Sequence, residues 1–230
     1  MIPLNDDNPS YTTPVVVYVL IGINIAVFIH QVSLGSQLND FFELYAVIPR
    51  QLSASFAGAT SNQTVPEFLT LITSQFLHGG LTHIGFNMLF LWIFGNNIED
   101  SLGHFKFLLF YLGCGVLAGL THWFFDMNSV TPTVGASGAI AGVMGAYILK
   151  YPKAQILTLL PLGFFITTVR IPAVFFLGFW FVQQAFSSVA SLGLPSNTAG
   201  VAYWAHAGGF IFGAILGPLL GLFSDRSTPR

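Results

Sequence analysis

A single serine, Ser137, stands among small residues in the run Val134-Gly-Ala-Ser137-Gly-Ala-Ile-Ala-Gly-Val-Met-Gly-Ala146, at the head of an apolar segment. A second apolar segment carries His78, His83 and Asn87, and a third carries His206. Polar side chains are expensive inside a bilayer, so several of them directed to one depth mark a functional site. A hydroxyl, an imidazole and further N–H donors are the parts of an acyl-transfer centre: a nucleophile, a base and donors for an oxyanion.

On this reading Ser137 is the nucleophile, and His206 is the general base and then the general acid toward the leaving amine. His83 and Asn87 are four apart, so they share one helix face. They are expected to donate to the oxyanion together with the Ser137 backbone N–H at a helix N-terminus. His78 is expected to support the outer loop by hydrogen bonding, without a chemical role. Taken singly, each residue is more often structural. A serine in a Gly/Ala-rich helix usually packs, a histidine near a span end usually sits at the interface, and asparagine or histidine can bond across helices. Their common depth carries the argument. The Gly-x-Ser-x-Gly elbow is not met, because Ala139 fills its last position and no strand precedes the serine. No carboxylate lies in the outer halves of the segments that carry Ser137 and His206, so a dyad is expected rather than a triad. A metal site built from His78, His83 and His206 lacks the His-Glu-x-x-His spacing and a nearby acid, so neither metal nor cofactor is expected. Glu99, Asp100 and Lys106 fall at the opposite end and read as a solvated or helix-capping cluster.

The elements that must position these groups are membrane helices. The 230 residues are 53% hydrophobic and 7% charged, against roughly 25% charged in soluble domains, and the mean hydropathy is +0.72. A net charge of -2 with no basic run gives nucleic acid nothing to bind. Cys114 is the only cysteine, so there is no internal disulfide. Residues 1–13 contain no Lys or Arg, so the first apolar run is expected to stay as an anchor rather than be removed as a signal peptide. Six helical spans of about 20 residues are expected near 14–33, 77–96, 104–125, 135–150, 171–192 and 202–223, in an all-α, polytopic single domain over 1–230. The stretch 156–169, broken by Pro161 and Gly163, reads as a loop lying at the interface.

Orientation follows from the seven basic residues. Lys106, Lys150, Lys153, Arg170, Arg226 and Arg230 fall on the N-terminal side and Arg50 on the other, which places both termini in the cytoplasm of a cell (plasma) membrane protein. The first outer loop, about 34–76, is rich in Phe, Leu and Ile. It is expected to form short amphipathic helices embedded in the outer interface, one of them starting at Thr64-Val-Pro66-Glu67. Asn62-Gln-Thr64 fits a glycosylation sequon, to which little weight attaches. Ser137 to Lys150 spans about 20 Å of helix in a hydrocarbon core about 30 Å thick. Ser137 is therefore expected roughly 10 Å below the outer surface, in a water-filled cavity that opens outward. On the sixth span His206, Gly209 and Gly213 share a face that can meet Gly138 and Gly142 backbone to backbone.

These motifs together resemble the rhomboid family of intramembrane serine proteases: Phe76-Leu-His78-Gly-Gly-Leu-Thr-His83-Ile-Gly-Phe-Asn87-Met, Gly95-Asn-Asn-Ile-Glu99, Gly135-Ala-Ser137-Gly-Ala-Ile-Ala-Gly142 and Ala205-His206-Ala-Gly-Gly209. The resemblance implies a six-helix core with a catalytic serine at Ser137, a catalytic histidine at His206 and an oxyanion hole at His83 and Asn87. It also implies cofactor-free cleavage of single-span transmembrane proteins among membrane lipids. Lateral substrate access between the second and fifth helices would make Phe86 and Trp180 candidate gate residues, against a plain reading as lipid-facing or packing aromatics. Two departures stand out. The Trp-Arg pair of many members is absent from the first outer loop, and Ala141 replaces the tyrosine that some members place under the histidine, so the imidazole must be held otherwise. Two other functions compete. A catalytically inactive relative that binds membrane clients would have no need of all four site residues. A channel or transporter would need polar groups along a complete path, whereas the inner halves of the fourth and sixth spans are apolar and small.

Overall fold

The computed structural model describes residues 1–59, 64–163, 165–192 and 202–224. The sequon at Asn62, and Arg226 and Arg230 of the charge count, lie outside the described residues. Strand β1 (Ile2–Asp6) precedes helix α1 (Val15–Ser33). The outer loop then forms α2 (Leu38–Tyr45), α3 (Pro49–Phe56) and α4 (Glu67–Thr73). Its helices are short as expected, and Pro66 and Glu67 start α4. The bundle continues with α5 (Leu81–Leu102), α6 (His104–Phe125) and α7 (Ser137–Lys150). After strands β2 (Gln155–Leu162) and β3 (Phe165–Pro172) come α8 (Ala173–Ser191) and α9 (Tyr203–Leu220).

Helices α1, α6, α8 and α9 are each long and apolar enough to cross a membrane. Helix α5 meets that test together with the segment Glu67–Phe76, from which it turns by 83°. Helix α7 has 14 residues, about 20 Å of rise, and so begins inside the bundle, as the distance from Ser137 to Lys150 suggests.

Packing centres on α7. Ten of its residues, from Gly138 to Tyr147, are buried, and it meets α9 backbone to backbone. A Cβ on Gly209 would stand 2.1 Å from the Gly138 carbonyl oxygen, and one on Gly213 would stand 2.0 Å from that of Gly142. Apolar burial does not drive helices together in lipid as it does in water, so small residues that permit such approach do much of the joining. Large buried side chains complete the core below the site, among them Phe94, Phe107, Phe110, Tyr111 and Tyr147.

The stretch 156–169 corrects the expectation of a loop. It forms most of an antiparallel hairpin that runs from the Gln155–Pro172 pair to the Leu162–Phe165 pair. β1 adds as a third strand, from Ile2 opposite Leu159 to Asp6 opposite Ile156. The two residues read as breakers have places in this sheet. Gly163 takes φ 64° at the hairpin turn. Pro161 lies beyond Leu159, the last β2 residue paired with β1, so its missing N–H costs that ladder nothing. Phe165 and Ile166 at the tip are exposed, as suits a segment that meets lipid.

Polar groups tie this end together. Glu99, 0% exposed, accepts hydrogen bonds from the Val16 and Val17 N–H groups at 2.9 and 2.8 Å, capping α1 from across the bundle. Asp100 accepts from the Tyr11 and Thr12 backbones and the Thr12 hydroxyl. The capping reading of this cluster holds, and the solvated one does not. Lys106 and Lys150 donate to the Leu220 and Leu222 carbonyls at the end of α9. These lysines, the sheet with Arg170, and the N-terminal strand therefore occupy one end of the bundle.

Gly213→Ala should lower stability by about 1–3 kcal/mol through overpacking against Gly142. Gly22→Ala, with nothing within 4 Å of its new methyl group, should not; thermal unfolding in detergent compares the two. A second expectation concerns Asp6, whose carboxyl accepts from the Tyr147 hydroxyl. Burial raises its pKa from 3.8 to about 6, against the lowering effect of that hydrogen bond. Because the folded state binds this proton more tightly, the contribution to stability is complete below pH 3.8 and is lost as pH rises through about 6. Asp6→Asn should flatten that part of the stability–pH curve.

Candidate functional site

The contact of α7 with α9 sets Ser137 and His206 face to face. The His206 Nε2 lies 2.8 Å from the Ser137 Oγ. Both side chains are partly buried at the wall of a cavity of about 640 Å³, which is also lined by His83, Phe86, Asn87, Phe90, Ile140, Met144 and Trp180. The hydroxyl and imidazole thus meet where the spacing of Gly138, Gly142, Gly209 and Gly213 implies.

The other nitrogen of His206 is also engaged. Its Nδ1 lies 2.8 Å from the Oε1 of Gln184 on α8. Neutral imidazole has one donor and one acceptor nitrogen. An amide oxygen only accepts, so Nδ1 carries the proton and Nε2 turns its lone pair toward the serine. The Trp180 ring, one turn earlier on α8, stands 5.8 Å from the imidazole, centroid to centroid.

His83 is oriented by the turn before α5. The Gly79 N–H donates to its Nδ1 at 3.3 Å, which leaves Nε2 to carry the proton. That edge of the ring lies against Gly135, where a Cβ would stand 2.8 Å from Nε2 and 3.6 Å from the Ser137 Oγ. Gly135 also has φ 127°, which L side chains rarely adopt. Asn87 is buried beside the cavity, and its Nδ2 donates to no acceptor among the described residues. An N–H donor beside a hydroxyl and left without a partner is suited to an oxygen that acquires charge during reaction.

His78 departs from expectation in how it acts. Neither ring nitrogen makes a well-aligned hydrogen bond with a described residue. Its backbone is held instead, through paired 3.0 Å bonds with the Gln31 amide of α1. Its ring stands edge-on to His83, with centroids 5.1 Å apart. Phe86 of α5 and Trp180 of α8 both line the cavity. A second cavity of about 420 Å³, lined by Asn39, His122, Asp126, Ser129 and Thr131, shares Gly79, His83, Val134 and Ala202 with the first, so polar groups lead from the site toward the loops.

Sequence reasoning overlooked Gln31, Gln184 and Gly135. The glutamines carried a signal, since an amide within an apolar run needs a partner in lipid. Gly135 carried none, because only the folded chain brings His83 over it. Gly135→Ala should displace the His83 ring and slow labelling of Ser137 by a fluorophosphonate, by about 100-fold for a shift near 1 Å. A rate equal to wild type would mean that this contact does not position the site.

The Rhomboid domain model matches residues 65–223, from the helix before α5 to the end of α9. Rhomboid protein 1, mitochondrial, of Saccharomyces cerevisiae is 28% identical over 93% of this chain and 56% of its own length. Rhomboid protease GluP of Bacillus subtilis is 32% identical over 74% of this chain and 31% of its own length. Rhomboid-like protein 11, chloroplastic, of Arabidopsis thaliana is 30% identical over 86% of this chain and 66% of its own length. The chain thus spans from about a third to two thirds of these relatives. The apolar helices and this match make it an integral, multi-pass membrane protein. With the matched region holding both partners of the Ser137–His206 contact and the helices that present them, the chain belongs to the rhomboid family.

Proposed function

We propose that this chain is a single rhomboid-type membrane domain over 1–230 with six crossings. In our reading it acts as a serine endopeptidase that cleaves single-span transmembrane proteins within or near the bilayer. The observation that carries the reading is the 2.8 Å contact of the His206 Nε2 with the Ser137 Oγ, at a cavity lined also by Asn87, whose Nδ2 has no partner among the described residues. His206 takes the Ser137 proton as Oγ attacks the scissile carbonyl carbon. Negative charge gathers on the carbonyl oxygen, toward which His83 Nε2–H and Asn87 Nδ2–H donate. Collapse of the tetrahedral intermediate breaks the C–N bond, and the imidazolium gives its proton to the departing amine. A water molecule from the outer cavity then repeats the attack with His206 as base, releasing the acid and restoring the serine. No metal or cofactor is needed for these steps.

Substrate would reach the serine laterally, between α5 and α8, where Phe86 and Trp180 stand as gate residues. Lys106, Lys150 and the sheet that holds the N-terminus share one end of the bundle. By the positive-inside rule that end is cytoplasmic, and we assign the protein to the plasma membrane in this orientation.

Purified protein in lipid vesicles with a single-span substrate tests the proposal. Ser137→Ala and His206→Ala should abolish cleavage over wild type. Asn87→Ala should lower turnover roughly 100-fold or more. Equal cleavage by wild type, Ser137→Ala and His206→Ala would end the protease reading. A wild type that binds client proteins without cutting them would favour an inactive binding role.

A further inference from the structure

We propose that Gln184 is a positioning residue for His206, holding the imidazole in the tautomer and orientation that let it take the Ser137 proton. The inference rests on the reading of Ser137 and His206 as the reacting pair, and extends it to a residue on a third helix.

Three observations support it. The Gln184 Oε1 stands 2.8 Å from the His206 Nδ1, on the opposite side of the ring from the serine contact. Gln184 is 9% exposed, within a face of α8 whose Trp180, four residues earlier, also flanks the imidazole. Third, the residue one turn after Ser137 gives the imidazole no support. Ala141, one turn after Ser137, has no ring to support the imidazole, and its Cβ lies 3.3 Å from where a Cβ on Gly209 would be, so the two helices close up at that level.

The consequence is chemical. If Nδ1 were unprotonated, Nε2 would hold the proton and could only donate to Ser137, and the hydroxyl would have no base. The Gln184 carbonyl oxygen accepts the Nδ1 proton and so excludes that form. An acidic residue in this position would also stabilise the imidazolium by its charge. A neutral amide supplies orientation alone, without placing a buried charge in the bundle. Among the described residues the titratable groups near His206 are other histidines, His83 from α5 and His122 from α6; α7 presents Ser137, and α8 presents Gln184 and Trp180.

The experiment uses the full chain in lipid vesicles, with fluorophosphonate labelling of Ser137 and steady-state cleavage of a single-span substrate. Gln184→Leu, close in size but without an acceptor, should lower kcat and the labelling rate on the order of 10- to 100-fold, with KM within about twofold. Gln184→Glu keeps the acceptor and should recover most of that loss. Its added charge should also move the acid limb of the pH–rate profile upward by about one unit. A residue that only packs would not produce this recovery with a displaced acid limb. Wild-type labelling and kcat in Gln184→Leu would overturn the proposal. So would Gln184→Glu if it failed to recover activity while remaining as thermally stable as wild type. Should Gln184→Leu not fold, the Glu variant alone decides through its acid limb, which must move for the proposal to stand. Failure of the underlying reading is distinguishable, since wild type would then not be labelled at Ser137 and Ser137→Ala would cleave normally.

Discussion

The closeness of α7 to α9 is the constraint on which the rest depends. The carbonyls of Gly138 and Gly142 occupy the space that Cβ atoms on Gly209 and Gly213 would fill. Two helices held this tightly cannot slide without a clash, so the relative height of Ser137 and His206 is set by backbone rather than by flexible side chains. In lipid, where apolar burial does not by itself drive helices together, contact of small residues gives both the attraction and the register. The 2.8 Å separation of hydroxyl and imidazole follows from that register.

Around this contact the bundle satisfies polar groups by pairing them across helices. The Gln31 amide closes on the His78 backbone, Glu99 caps the first turn of α1, and the lysines at the other helix ends close the α9 carbonyls. Each pairing satisfies within the protein a polar group that would otherwise need water. Against this background the Asn87 Nδ2, without a partner among the described residues, is conspicuous. Asn87 lines the cavity that also holds Ser137, and in the proposed reaction a donor without ground-state partners needs no reorganisation when charge develops.

The small sheet lies at the opposite end of the bundle. β2 and β3 join α7 to α8, and β1 pairs with β2, so the N-terminal strand is tied to the connection between two helices that line the cavity. The Ala173 N–H donates to the Ala154 carbonyl at 2.8 Å, so α8 starts from a fixed base. Gln184 and Trp180 lie further along that helix, beside His206.

Much of the architecture was legible in the chain itself. Apolar runs of membrane-crossing length, the small-residue face of α7, and the i, i+4 pair His83 and Asn87 are local patterns, and local patterns follow from helical period alone. For the same reason the shortness of the helix that begins at Ser137 could be read from its distance to Lys150. What the tertiary structure decided were the relations between elements far apart in sequence. The strand pairing of residues 155–172 was hidden because Pro161 and Gly163 resemble breakers until a turn and an unpaired edge are assigned to them. The Gln184 contact with His206, the Gln31 clasp on His78 and the nearness of Gly135 to His83 join residues 22, 47 and 52 positions apart. Sequence records that such side chains are polar or small, but only the packing angles and heights of whole helices determine which of them meet.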